Sequence, residues 1–177
     1  MKKVKHIARN PLCYSVWVMP PKKEAKFLKS IINDMSNIFG GPIFDPHLTI
    51  LSGFTGDEKL LLNKAEYFSR IIKPFHILFN EINTTNHFFF SLFISIIKSP
   101  ELELAKILAE KVFDFQMPNY KPHLSIAYGD YSKDKKIDMI NKINAIPEGF
   151  YVDKIYLAYN DEINLKWKII DSFIIEK

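Results

Sequence analysis

The chain has 177 residues, 47% hydrophobic and 25% charged, with a formal net charge of +4 and a pI near 9.0. This predicts one domain, or two closely packed lobes, around a full core, and excludes a disordered or low-complexity chain. A single cysteine, Cys13, excludes an internal disulfide framework; the longest apolar run, FFFSLFISII at 88–97, falls far short of the ~20 residues that cross a bilayer; and no basic run with interleaved aromatics marks a long nucleic-acid groove.

The basic opening, MKKVKHIARN, is followed by an apolar stretch that runs straight into Pro20-Pro21 with no small-residue cleavage site. A signal peptide is therefore not expected, and the chain reads as soluble and cytoplasmic. Residues 12–19 are β-branched and aromatic and predict a strand. Residues 22–39 place Phe27, Leu28, Ile31, Ile32, Met35 and Ile38 at helical spacing, and Gly40-Gly41 stop the helix. A second strand is expected at 43–52, a helix from Asp57 to Ile72, and a strand at 75–82. Residues 87–97 predict a further strand. Ser99-Pro100 opens a helix, since Ser caps the unpaired N–H groups and Pro suits the first helical position. Strand 120–128, helix 133–145 and strands near 150–159 and 165–175 complete the chain.

PHLT at 46–49 and PHLS at 122–125 occupy equivalent places in this order. Strand, helix and motif strand occur twice, which predicts an internal duplication. The expected fold class is α+β and bilobal: two pseudo-two-fold-related lobes, each with an antiparallel sheet and helices, and a groove between them. The whole chain reads as one such domain, with motif-bearing halves at about 12–85 and 86–177.

Alternate residues of a strand share a face. His47 therefore sides with Thr49, and His123 with Ser125, while Leu48, Ile50, Leu124 and Ile126 turn to the core. If both polar faces line one groove, it holds two imidazoles and two hydroxyls. One neutral and one protonated imidazole suit general base and general acid work at phosphorus, and hydroxyls can donate to the non-bridging oxygens. Which ring is the base is left open. Asp45 and Lys121, each two residues before a histidine, could form a rim salt bridge or tune the rings.

These residues resemble the 2H phosphoesterase superfamily, with its paired H-x-[ST] motifs. YSVWVMPP (14–21), FDPHLTI (44–50), HFFFSLFI (87–94), YKPHLSIAYG (120–129) and Trp167 make the chain most similar to the plant and yeast cyclic phosphodiesterase family. The resemblance implies a bilobal fold and metal-independent hydrolysis of a small cyclic phosphate, either a nucleoside 2′,3′-cyclic phosphate or ADP-ribose 1″,2″-cyclic phosphate. It implies no cofactor. It makes His47 and His123 the catalytic pair, Thr49 and Ser125 the phosphate-binding pair, Tyr128 an active-site tyrosine, and Trp17 and Phe89 the rings flanking base or ribose. Action on RNA ends, 2′,5′-linked RNA or cyclic oligonucleotides, and a non-catalytic nucleotide sensor, are the alternatives.

His6, His76 and His87 lack the hydroxyl partner and are expected to be structural or on the surface. Trp17 reads equally well as a core residue. No metal-ligand spacing joins His47, His123 and Asp45, and no Gly-rich phosphate loop is present. Cys13 has no neighbouring base and is not expected to be a nucleophile. A monomer that binds a small nucleotide, with no membrane contact, is the expected state.

Overall fold

The computed structural model describes residues 11–176; the basic opening with His6, and Lys177, lie outside the described residues. In chain order the elements are β1 Leu12–Val18, α1 Lys22–Phe39, β2 Leu48–Phe54, α2 Glu58–Ile71, β3 Phe75–Thr84, β4 Leu92–Ile96, α3 Pro100–Phe113, β5 His123–Ala127, α4 Lys133–Asn141, β6 Gly149–Val152, β7 Lys154–Asp161 and β8 Lys166–Ile174. Three helices start on side-chain caps. Asp57 accepts from the Leu60 amide at 3.0 Å, Ser99 from Leu102 at 3.2 Å, and Ser132 from Lys135 at 3.3 Å, each satisfying an N–H that the helix itself cannot.

Both motif strands begin later than the sequence predicts, at Leu48 and His123. Pro46 and Pro122 carry no N–H to give to a ladder. The strand expected at 87–97 begins at Leu92. Phe88–Phe90 instead form a 3-10 turn closed by a 2.9 Å bond from Phe90 N to His87 O. The strand expected at 150–159 is two strands that break at Asp153, and α4 ends at Asn141, ahead of Pro147.

The sheet order is β6-β3-β4-β5-β2-β1-β7-β8, antiparallel throughout. The motif strands β2 and β5 meet at its centre through the pair Leu48↔Leu124. On either side lies a four-stranded antiparallel set, and β1-α1-β2 in one is the topological equivalent of β4-α3-β5 in the other. The sheet interleaves the chain halves: β3 pairs with β4 and β6, and β7 with β1. Helix α1 packs against β5 and α3 against β2, so each reaches the other set's motif strand.

The core is shared by both sets. Leu48, Ile50, Leu124 and Ile126, predicted to face inward, are at most 1% exposed. In α1 the buried side is narrower than predicted. Leu28, Ile32 and Met35 form it, while Phe27 and Ile38 are exposed.

Candidate active site

The two motif histidines are held alike. His47 Nδ1 lies 2.7 Å from the carbonyl oxygen of Asp45, and His123 Nδ1 lies 2.8 Å from that of Lys121. A carbonyl oxygen only accepts, so Nδ1 carries the proton and donates in both rings, and Nε2 is left for proton transfer. The intervening proline supplies the geometry. It fixes its own φ near −65° and confines the residue before it to extended conformations, so the carbonyl two residues back is held beside the ring. The residues two before each histidine thus hold the rings through their backbone. The Asp45 carboxylate pairs with Lys29 at 2.7 Å rather than with Lys121, so of the two expected roles, a rim salt bridge or tuning of the rings, Asp45 takes the second, its charge favouring the protonated form of His47.

Both histidines line one cavity of about 440 Å³. Thr49, Tyr128, Trp17 and Phe89 line it as well. Ser125 does not: it is 4% exposed, opposite Phe93 of β4, and lies outside the cavity lining. His87 is exposed, in line with the surface expectation, and also lines the cavity wall. Tyr120 also lines the cavity, and its hydroxyl donates to the Thr49 carbonyl at 3.0 Å, tying the segment before β5 to β2. Among the described residues no group of three or more His, Cys, Asp or Glu side chains is arranged to hold a metal ion.

The aromatic surroundings break the symmetry between the rings. Trp17 opposes Thr49 on β1, and Phe93 opposes Ser125 on β4, so the two are equivalents. Trp17 stacks flat on His47, with centroids 3.7 Å apart and planes at 16°. Phe93 is instead stacked by Phe90 at 3.8 Å and meets His123 edge-on at 5.6 Å, while Phe90 lies 4.1 Å from His123. Under its indole, with Phe44 against its edge at 6.3 Å, His47 is only 8% exposed. Burial pushes its pKa down to about 4, with the nearby His123 charge acting in the same direction, against the opposing pull of the Asp45 carbonyl and carboxylate. Trp17 is itself 3% exposed, so it reads as a lid on the histidine more than as an open platform.

The loops behind the site are also fixed. Phe44 stacks on Tyr128 at 4.1 Å, and both contact Trp167. The chain reaches Phe44 through Gly41, whose φ of 104° favours glycine; a Cβ there would stand 2.5 Å from the Tyr128 carbonyl oxygen. The 3-10 turn carrying Phe89 and Phe90 is anchored by Lys136 of α4, whose buried ammonium donates to Thr85 O at 2.6 Å and to Asn86 Oδ1 at 2.9 Å.

Several lining residues lie outside the sequence prediction. Strict alternation would put Ser52 on the face opposite Thr49. The β1–β2 register instead pairs Trp17 with Thr49, Val16 with Leu51 and Ser15 with Ser52, so a bulge returns Ser52 to the cavity. The β4–β5 ladder carries the matching irregularity between Leu92 and Phe93, and Tyr128, at the same offset from its histidine as Ser52, lines the cavity too. Asn160 and Glu162, from β7 and the turn after it, complete the wall. No motif announces them.

The fold has known counterparts. The structure is similar to that of E. coli LigT complexed with 3′-AMP, with a TM-score of 0.62, 11% identity, and coverage of 95% of this chain and 100% of that one. It is also similar to TT0787 of Thermus thermophilus, with a TM-score of 0.59, 15% identity, and coverage of 92% and 97%. In sequence, it is 26% identical over 126 residues to the Cyclic phosphodiesterase of Arabidopsis thaliana, covering 70% of this chain and 68% of that protein. Residues 12–176 match the family model described as cyclic phosphodiesterase-like protein, and with paired histidine motifs on the two central strands of a LigT-like sheet, the chain belongs to that family.

Proposed function

We propose that the protein hydrolyses a small cyclic phosphate, a nucleoside 2′,3′-cyclic phosphate or ADP-ribose 1″,2″-cyclic phosphate, to a phosphomonoester by acid–base catalysis between His47 and His123. Family membership makes the chain a phosphodiester hydrolase. The observation that carries the finer reading is the pair of imidazoles, tethered alike through Nδ1, on one cavity. The cavity's size supports a small substrate over a long RNA, since about 440 Å³ lies within the roughly 300–1,000 Å³ of small-molecule sites.

His47 is the base in this reading. Buried and neutral, it takes a proton from water through Nε2 as the water oxygen bonds to phosphorus. The bond from phosphorus to one ring oxygen breaks, and His123, the more exposed ring, gives that oxygen its proton. Proton exchange with solvent resets the pair. Thr49 is placed to donate to a non-bridging oxygen. Ser125 can act in the same way only if the cavity wall shifts to admit it.

The test is steady-state hydrolysis of adenosine 2′,3′-cyclic phosphate by His47→Ala and His123→Ala. Each should lose on the order of 10²–10⁴ in kcat with an unchanged circular dichroism spectrum, and the wild-type rate should survive EDTA. A double variant of wild-type activity would refute the mechanism.

A further inference from the structure

The wall of the catalytic cavity carries little charge. Among the described residues that line it, only Lys121 and Glu162 bear a formal charge at neutral pH. Glu162 stands on the turn after β7. Lys121 stands two residues before His123, and its carbonyl oxygen holds that ring through Nδ1 at 2.8 Å. Lys121 is exposed, and among the described residues its ammonium has no hydrogen bond or ion pair. The cavity therefore has a cation beside one catalytic ring that the protein itself does not neutralise.

The equivalent residue of the other set is engaged differently. The Asp45 carboxylate is held by Lys29 at 2.7 Å, and Asp45 borders a neighbouring cavity instead of the catalytic one. The backbone that carries Lys121 is fixed at three points. Glu110 Oε1 accepts from the Met117 amide at 2.7 Å, the Tyr120 hydroxyl donates to the Thr49 carbonyl at 3.0 Å, and the Pro122 carbonyl accepts from the Ile96 amide at 3.3 Å. From that fixed base the four-carbon stem carries the ammonium ~6 Å from its Cα. The Lys121 carbonyl already touches the His123 ring, so a phosphate served by that ring lies within the ammonium's reach.

We propose that Lys121 is a substrate-binding residue whose ammonium contacts a non-bridging phosphate oxygen on the leaving-group side, next to His123. The inference rests on the cyclic phosphate reading and deepens it. Charge gathers on the non-bridging oxygens as water adds to phosphorus, and a cation fixed beside them favours that state. The cyclic diester carries one negative charge. The monoester formed from it loses a further proton with a pKa near 6, and so carries nearly two at neutral pH. A lone ammonium therefore holds the product more strongly than the substrate.

The experiment compares wild type, Lys121→Met and Lys121→Arg on adenosine 2′,3′-cyclic phosphate at pH 7.5, with 2′-AMP and 3′-AMP as inhibitors. These substitutions leave the backbone carbonyl that holds His123 in place. Lys121→Met should lower kcat/KM roughly five- to twentyfold, weaken inhibition by the monoester product by a larger factor than it raises KM, and flatten the fall of kcat/KM with ionic strength. Lys121→Arg should restore most of each. A merely structural role would not move the salt dependence. Lys121→Met with the kcat/KM or the salt dependence of the wild type, or with product inhibition weakened no more than KM is raised, would overturn the proposal. If the wild type opens no cyclic phosphate, the hydrolytic reading fails by itself. Calorimetric binding of 2′-AMP then decides on Lys121: weaker binding by Lys121→Met than by the wild type supports its role, and equal affinity overturns it.

Discussion

Replacing His47 by Gln should make the protein more resistant to acid. Burial beneath Trp17 lowers the His47 pKa from 6.5 to about 4. At about 1.4 kcal/mol per unit, this is about 3 kcal/mol of preference for the neutral ring. The sign follows from proton uptake. Below about pH 6.5 the unfolded chain binds a proton at this histidine that the folded chain refuses until about pH 4, so the folded state loses ground as the pH falls through that window. The loss is about 1 kcal/mol at pH 5.5 and about 2–3 kcal/mol at pH 4.5. For a chain of this size, 1 kcal/mol moves Tm by about 2–4 °C. Thermal scans of wild type and His47→Gln at pH 7.5, 5.5 and 4.5 should therefore diverge, with the variant losing about 5–10 °C less between the extremes. Any stability cost of the substitution itself cancels in the comparison across pH. Parallel pH profiles would show that burial does not hold this ring neutral, and would remove the basis for making it the base.

The same burial depends on the indole, so Trp17→Leu should raise the His47 pKa from about 4 toward its ordinary value. Proton NMR titration of the ring reads the shift directly, and a pKa that stays put would place the cause elsewhere. Lys136→Met should leave the part-buried Thr85 carbonyl without its donor, at a cost of about 1 kcal/mol, and should loosen the 3-10 turn that carries Phe89 and Phe90. Steady-state kinetics should show KM rising more than kcat falls, with partial recovery in Lys136→Arg; a fall in kcat alone would contradict this.

The part of the site written in local pattern was legible. Alternation in PHLT and PHLS separates the core leucines from the cavity-facing His47, Thr49 and His123 because those positions lie in, or just before, regular strand. The duplication foretold the equivalent strand–helix–strand units and the antiparallel α+β fold. What stayed hidden depends on non-local register. Ser52 faces the cavity only because β1 and β2 slip past one another at a bulge. Asn160 arrives on β7, whose place beside β1 no nearby residue encodes. Phe90 reaches His123 from a 3-10 turn in a segment whose aromatic run reads as strand. The role of Asp45 and Lys121 was obscured for a different reason: their charges drew attention, but their carbonyls hold the rings. The pseudo-symmetry of the motif also concealed the difference between the histidines, which arises from Trp17 standing where the other set has Phe93.

Phosphorus NMR of adenosine 2′,3′-cyclic phosphate incubated with the wild-type protein in EDTA reads the two-histidine hydrolysis itself. The cyclic phosphate resonance should be replaced by that of a single phosphomonoester regioisomer, and neither His47→Ala nor His123→Ala should produce this change on the same timescale. A cyclic resonance that persists with the wild type, or a monoester that forms equally fast without both histidines, would contradict it.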